Sequence, residues 1–153
     1  MNKQHIDLVK PYLTKCYSPY SKFNVACMLV CKDTEMIHEV DSSSCLSKAR
    51  NTMHYGVNVE NCSYSLTTCA EKNCITSAIT DGVNLKDALY MIVITDTADT
   101  ITPCGACRQI LSEFFSDTFT IYTCGNNNIL SEYTVGELLP AGFRPKGLKA
   151  PAS

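Results

Sequence analysis

The sequence carries no surplus of positive charge. Its 13 Lys and Arg stand against 15 Asp and Glu, 13 − 15 = −2, with a pI near 5.9. The densest basic cluster is only Arg144, Lys146 and Lys149. A polyanion-binding protein presents a basic face, so this balance argues against nucleic acid as a partner. Long apolar runs are also missing. Val25–Cys31 and Ala88–Ile94 are the longest, far short of the roughly 20 residues that cross a bilayer. The first seven residues hold no apolar signal core, so no membrane partner and a cytoplasmic location are expected. No internal repeat, low-complexity tract or Pro/Gly/Ser linker interrupts the chain. Its 153 residues suit one domain spanning 1–153.

What is present is cysteine. Ten of 153 residues is about 6.5%, below the roughly 8–10% of a disulfide scaffold. In a reducing compartment, close cysteine pairs point to metal or catalysis, and the rest to free thiols.

Periodicity supplies the frame. Ile6, Val9 and Leu13 sit at helical spacing before the turn-rich Tyr17–Ser21. Val25–Cys31 and Leu89–Thr95 are apolar on both alternations, as in strands covered on both faces. Met36–Val40 fits a return strand, and the serine-rich 41–51 an exposed insertion loop. A helix is expected from Ala70 to Asp81, stopped at Gly82. Thr102 suits the N-cap and Pro103 the first position of another, with Cys107, Ile110, Leu111 and Phe114 as its apolar stripe. Phe119–Thr123 and Ile129–Tyr133 read as strands, Val135–Leu139 as a short helix. Helices alternating with doubly buried strands imply an α/β layered sandwich.

The chemistry is concentrated in Cys69-Ala70-Glu71 and, after 31 intervening residues, Pro103-Cys104-Gly105-Ala106-Cys107. Residues three apart share a helical face, so Cys104 and Cys107 can touch one metal. Cys69, at the start of the other helix, can provide a third thiolate. In a first turn the side chains lean back past the helix end, so Glu71 reaches the same place without being a ligand. Three protein ligands leave a tetrahedral zinc one open position, the mark of a catalytic site. Two helix N-termini would favour thiolate over thiol there. A CxxC alone equally suits a redox pair or a packing coincidence; the upstream Cys-x-Glu and the preceding proline turn the reading to metal. His5, His38 and His54 read as surface residues.

This pattern resembles the zinc nucleobase deaminase signature, with cysteine in place of its histidine. More narrowly, the chain looks like the short cytidine deaminases with three zinc cysteines. The likeness extends over Tyr17–Phe23, Gly56–Asn61, Cys69–Glu71, Pro103–Gln109 and Glu137–Pro140 followed by Phe143. It implies a three-layer α-β-α sandwich around a mixed sheet of about five strands, and one Zn2+ per chain on Cys69, Cys104 and Cys107. Glu71 would shuttle protons. Phe23 would lie beside the pyrimidine, Asn58 and Glu60 hold the sugar hydroxyls, and Ala70 line the pocket. Tyr64 and Phe143 would help build a neighbour's site in a homotetramer. The implied activity is hydrolytic deamination of cytidine and deoxycytidine to uridine and deoxyuridine with release of ammonia, a step of pyrimidine salvage. The resemblance implies a zinc-activated hydroxide as nucleophile, since zinc brings water's pKa from 15.7 to near 7.

The sequence departs from that pattern at Lys72, where many relatives carry arginine, at Asn24 for proline and at Ala26 for glycine; the stretch from Lys32 to Gly56 is longer than the usual hairpin. Lys72 keeps the charge and would tune the zinc site electrostatically. A deaminase for another cytosine-containing molecule, such as a nucleoside antibiotic, would share this chemistry. A zinc that merely stapled two helices would have no use for Glu71.

Overall fold

The computed structural model describes residues 4–32, 51–127 and 129–144. Met36–Val40, His38 and all of 41–51 except Asn51 lie outside them. Five strands form one sheet: β1 (Val25–Lys32), β2 (Asn51–Val57), β3 (Ala88–Thr95), β4 (Thr120–Cys124) and β5 (Leu130–Thr134), in the order β2-β1-β3-β4-β5. β1 runs antiparallel to β2 and β3, β4 parallel to β3 and antiparallel to β5. The sheet is therefore mixed. Beside β3, β1 pairs with β2, a strand the sequence reading passed over in favour of its motif Gly56–Asn61.

Alternation along the strands makes two cores. Cys27, Leu29 and Cys31 face one side, with Met91, Val93 and Ile121. Helix α2 (Ala70–Thr80) covers them with Cys74, Ile75 and Ala78, and helix α3 (Gly105–Phe114) with Leu111. Ala26, Met28, Val30, Ile92 and Ile94 face the other side, against Ile6 and Val9 of α1 (Gln4–Val9). Burying each large aliphatic contributes about 1.5–3 kcal/mol. The result is the expected three-layer sandwich.

Local chemistry sets the helix ends. The opening helix is α-helical only to Val9 and continues as 3-10 turns over Lys10–Lys15, because Pro11 has no N–H for an i−4 bond. At the end of α2, Gly82 takes φ +79°. Its N–H meets the Ile79 carbonyl at 3.0 Å, and the Val83 N–H meets that of Ala78 at 3.0 Å. That double closure is a Schellman cap. The start of α3 differs from expectation: Cys104, not Thr102, is the N-cap. The Arg108 N–H bonds the Cys104 carbonyl at 2.9 Å, while Thr102 and Pro103 are taken up by the Arg108 side chain. A short α4 (Val135–Leu138) begins in a Thr134/Glu137 capping box.

One close approach places α2. A Cβ on Gly56 would lie 2.3 Å from both the Ala70 carbonyl oxygen and the Cys74 nitrogen. Only glycine lets β2 meet the helix backbone to backbone, and this seats the first turn of α2 over the sheet end.

Candidate active site and metal centre

Cys69 and Cys104 are the N-caps of α2 and α3, both extended (ψ 155° and 165°), and neither thiol caps its own helix. Their side chains are free to point past the helix ends. Cys107 sits one turn into α3 and is buried. The three sulfurs lie within 4.8 Å of one another, with Cys69 and Cys104 at 3.8 Å. Two thiolates at 2.3 Å from a tetrahedral zinc stand about 3.8 Å apart, so the Cys69–Cys104 pair has that spacing and Cys107 lies close enough to be the third donor. A hydrogen bond from Cys107 is the chief cause holding the Cys69 thiol down at about 7, with Cys104 and Lys72 adding. Cys107, the partner in that bond, is pushed up.

Glu71 stands beside this trio in the first turn of α2, 5% exposed. Burial pushes its carboxyl above the ordinary range, and hydrogen bonds to its own backbone N–H and with Cys107 offset only part of this. An acid so placed holds a proton more readily than one in water.

A cleft of about 230 Å³ opens in front of these groups, lined by Phe23, Asn58, Glu60, Ala70, Glu71, Cys69 and Cys104. Glu60 is buried, and its carboxylate accepts the N–H groups of Tyr20 at 3.0 Å and Ser21 at 3.2 Å, plus the Ser21 hydroxyl. The Ser21 hydroxyl is the main cause that holds the Glu60 carboxyl below its usual range. Asn58 accepts the Val25 N–H at 3.0 Å and donates to the Phe23 carbonyl at 2.8 Å. Its amide retains one N–H and one lone pair.

The structure separates the other expected residues from this cleft. Tyr64 is 66% and Phe143 74% exposed, and neither lines it. Tyr64 meets Tyr20 edge-on at 5.9 Å, and the Phe143 carbonyl accepts the Gln109 amide at 2.8 Å. Lys72 is exposed on α2. His5 and His54 are not surface residues: His5 is buried against the Tyr90 hydroxyl at 2.6 Å, and His54 pairs with Asp81 at 2.8 Å. Both were drawn inward by partners distant in sequence, and neither joins the sulfur cluster.

Sequence reasoning missed Arg108. Its guanidinium spans the Pro103 carbonyl at 2.7 Å, the Thr102 hydroxyl at 2.6 Å and the Leu138 carbonyl at 3.1 Å. It thereby ties the segment before Cys104 to α4. The signal was there: a cation in the first turn opposes the helix dipole and needs compensating partners.

Among the described residues the metal-ligating cluster is these three sulfurs, with a buried acid beside them, a donor set suited to a metal-assisted hydrolase. A profile for the family described as "Cytidine and deoxycytidylate deaminase zinc-binding region" matches residues 38–123. The chain is 35% identical to the cytidine deaminase of Sporosarcina psychrophila over 88% of its length and 85% of that protein's. It is 36% identical to that of Mycoplasma pneumoniae, over 84% and 83%. The crystal structure of cytidine deaminase from Burkholderia pseudomallei superposes with a TM-score of 0.78 at 30% identity, covering 94% of this chain and all of that one. The chain belongs to the cytidine and deoxycytidylate deaminase family.

Proposed function

We propose that this protein hydrolyses cytidine and deoxycytidine to uridine and deoxyuridine plus ammonia, as a cytoplasmic enzyme of pyrimidine salvage. The observation that carries the reading is the position of Glu71, buried at the open side of the three-sulfur cluster. Zinc, one per chain on Cys69, Cys104 and Cys107, would supply a Lewis acid that makes water nucleophilic near neutral pH. Glu71 takes one proton of the attacking water and delivers it to ring nitrogen N3, which leaves C4 electrophilic; the water's other proton passes from the new C4 hydroxyl to the amine, the C4–N bond breaks, and ammonia leaves as the C4 carbonyl forms. Its raised carboxyl suits holding a proton between those steps. Phe23 packs on the pyrimidine, Ala70 leaves room for it, and Asn58 and Glu60 orient the sugar hydroxyls. A free base would leave those two polar groups unpaired, which selects nucleosides over cytosine.

Three thiolates against one zinc leave the centre at −3 + 2 = −1, and Lys72 offsets part of that charge. Residues 1–153 act as one domain, with 41–51 as an inserted loop. The exposure of Tyr64 and Phe143 supports a homotetramer in which each completes a neighbour's cleft. The test joins zinc quantification, light scattering and ammonia release from cytidine, deoxycytidine, cytosine and an aminoacyl-nucleoside antibiotic. The expected result is one zinc per chain, a mass four times 16.9 kDa, and turnover of the first two substrates. Equal turnover of cytosine overturns the sugar contacts; turnover of the antibiotic alone overturns the substrate.

A further inference from the structure

The segment Ser18–Phe23 builds one wall of the cleft and is itself anchored by residues outside it. Ser21 and Tyr20 supply all three donors that Glu60 accepts, and the Phe23 carbonyl takes the Asn58 amide. The segment turns sharply, with Lys22 at φ +58° and its N–H on the Ser18 carbonyl at 3.1 Å. Its root is Asn24, the residue before β1. The Asn24 amide donates to Asp96 Oδ2 at 2.7 Å, and its backbone N–H donates to Oδ1 at 3.3 Å. The Asp96 N–H returns a bond to the Asn24 carbonyl at 3.4 Å. The remaining Asn24 oxygen accepts the Ser18 hydroxyl, closing the segment on itself. On the far side, the Asp96 backbone carbonyl accepts the Asn126 amide at 2.7 Å, so the backbone that carries the carboxylate is held in turn.

Val25 pairs with Thr95 as the last rung between β1 and β3. Asn24 and Asp96 lie one residue beyond that rung, and their side chains extend the ladder where the backbones part. We propose that Asn24 and Asp96 are a positioning pair for nucleoside binding: they hold Ser18–Phe23 so that Ser21 and Phe23 present a preformed sugar end. Neither residue lines the cleft, so the pair acts through the segment. This rests on the proposed function for its substrate, not for its geometry. Charge-assisted bonds of this kind make a preformed site cheaper to occupy, so the pair should govern KM rather than kcat.

The test is a reciprocal swap. Asn24→Asp sets two carboxylates against each other. Asn24→Asp with Asp96→Asn restores a carboxylate–amide pair of reversed polarity that still accepts the Ser18 hydroxyl. The single variant should raise KM about tenfold, the size of one charge-assisted bond, with kcat within about twofold. Zinc content should equal that of wild type, and amide exchange at Tyr20 and Ser21 should quicken. The swap should return KM to within about threefold of wild type and slow the exchange again. An unchanged KM and exchange in Asn24→Asp overturns the proposal, as does a swap that restores neither. Loss of zinc in step with kcat also overturns it, by making the pair a general support of the fold. A wild-type protein that deaminates no nucleoside defeats the functional reading instead, and the exchange data still decide the pair.

Discussion

Glu60 and Glu71 line one cleft and are almost equally buried, 7% and 5% exposed, yet the fold treats them as opposites. Glu60 follows the bridged residue Val59 and meets two N–H groups and a hydroxyl. Glu71 lies in a helix's first turn, over the apolar core. Hydrogen bonding therefore wins at Glu60 and lowers its carboxyl, whereas burial wins at Glu71 and raises it. Depth and donors decide together what a carboxylate does: Glu71 is the more deeply seated, and Glu60 has the donors. A carboxylate kept ionised is suited to holding hydroxyls, and one pushed up is suited to carrying a proton.

The sharpest way to break this contrast is Glu71→Gln. Glutamine keeps the shape but cannot shuttle a proton, so kcat should fall about 10²–10⁴-fold, with zinc content unchanged. Wild-type turnover would remove Glu71 from the chemistry, and zinc loss would make it a ligand.

Next in size is Arg108→Gln, which releases the Pro103 and Leu138 carbonyls. Groups that orient metal ligands typically contribute 10–100-fold in metal affinity, so zinc loss to a chelator should quicken by about that factor. A chelation rate equal to wild type would make the guanidinium a brace for α4 alone.

The sugar end gives a smaller effect with a different signature. Glu60→Gln should raise KM about tenfold and leave kcat nearly unchanged, because the lost bonds hold substrate in ground and transition states alike. The pH dependence follows from the direction of the shift. The Glu60 carboxyl lies below its ordinary 4.5, so its contribution is complete above that pH and is lost as pH falls through the lowered value. KM should stay flat from about pH 5 to 8 on its account. Glu71 is displaced the other way, so the acidic limb of kcat should lie above 4.5. A limb shared by KM and kcat would mean that the two carboxylates titrate together.

The metal end was legible in sequence because its geometry is local. Cys104 and Cys107 are three apart on one helix, and Cys69 and Glu71 share another helix's first turn. Spacing gives each pair a common direction; the joining of the two pairs, 35 positions apart, came from the combined motif and its resemblance. The doubly buried β1 was equally plain, since seven consecutive residues are buried. The sugar end was not derivable in this way. Glu60 meets donors about 40 positions away and Asn24 meets Asp96 72 away, and no periodicity encodes contacts across loops. Asn58 and Glu60 were reached through a motif resemblance instead. The missed β2 and the shifted start of α3 have separate causes: Gly56 weakens a strand pattern, and Thr102–Pro103 mimics a cap that Arg108 draws away.

The smallest expected effect tests how far the metal end's charge extends. Lys72 is exposed, and its ammonium is among the causes that lower the neighbouring Cys69 thiol, behind the cysteine hydrogen bonds. Water screens an exposed charge, so its share in offsetting three thiolates is modest. Lysine also lacks the planar fork with which arginine reaches several acceptors at once, so its action here is that of a point charge. Lys72→Gln should therefore lower kcat/KM about two- to threefold at pH 7, the size of a screened surface interaction, at equal zinc content. The loss should deepen at low ionic strength, where screening weakens. Lys72→Arg should keep full activity, because the charge stays. If Lys72→Gln matches wild type at both low and high salt, the charge at the metal end is balanced without Lys72, by the two helix termini.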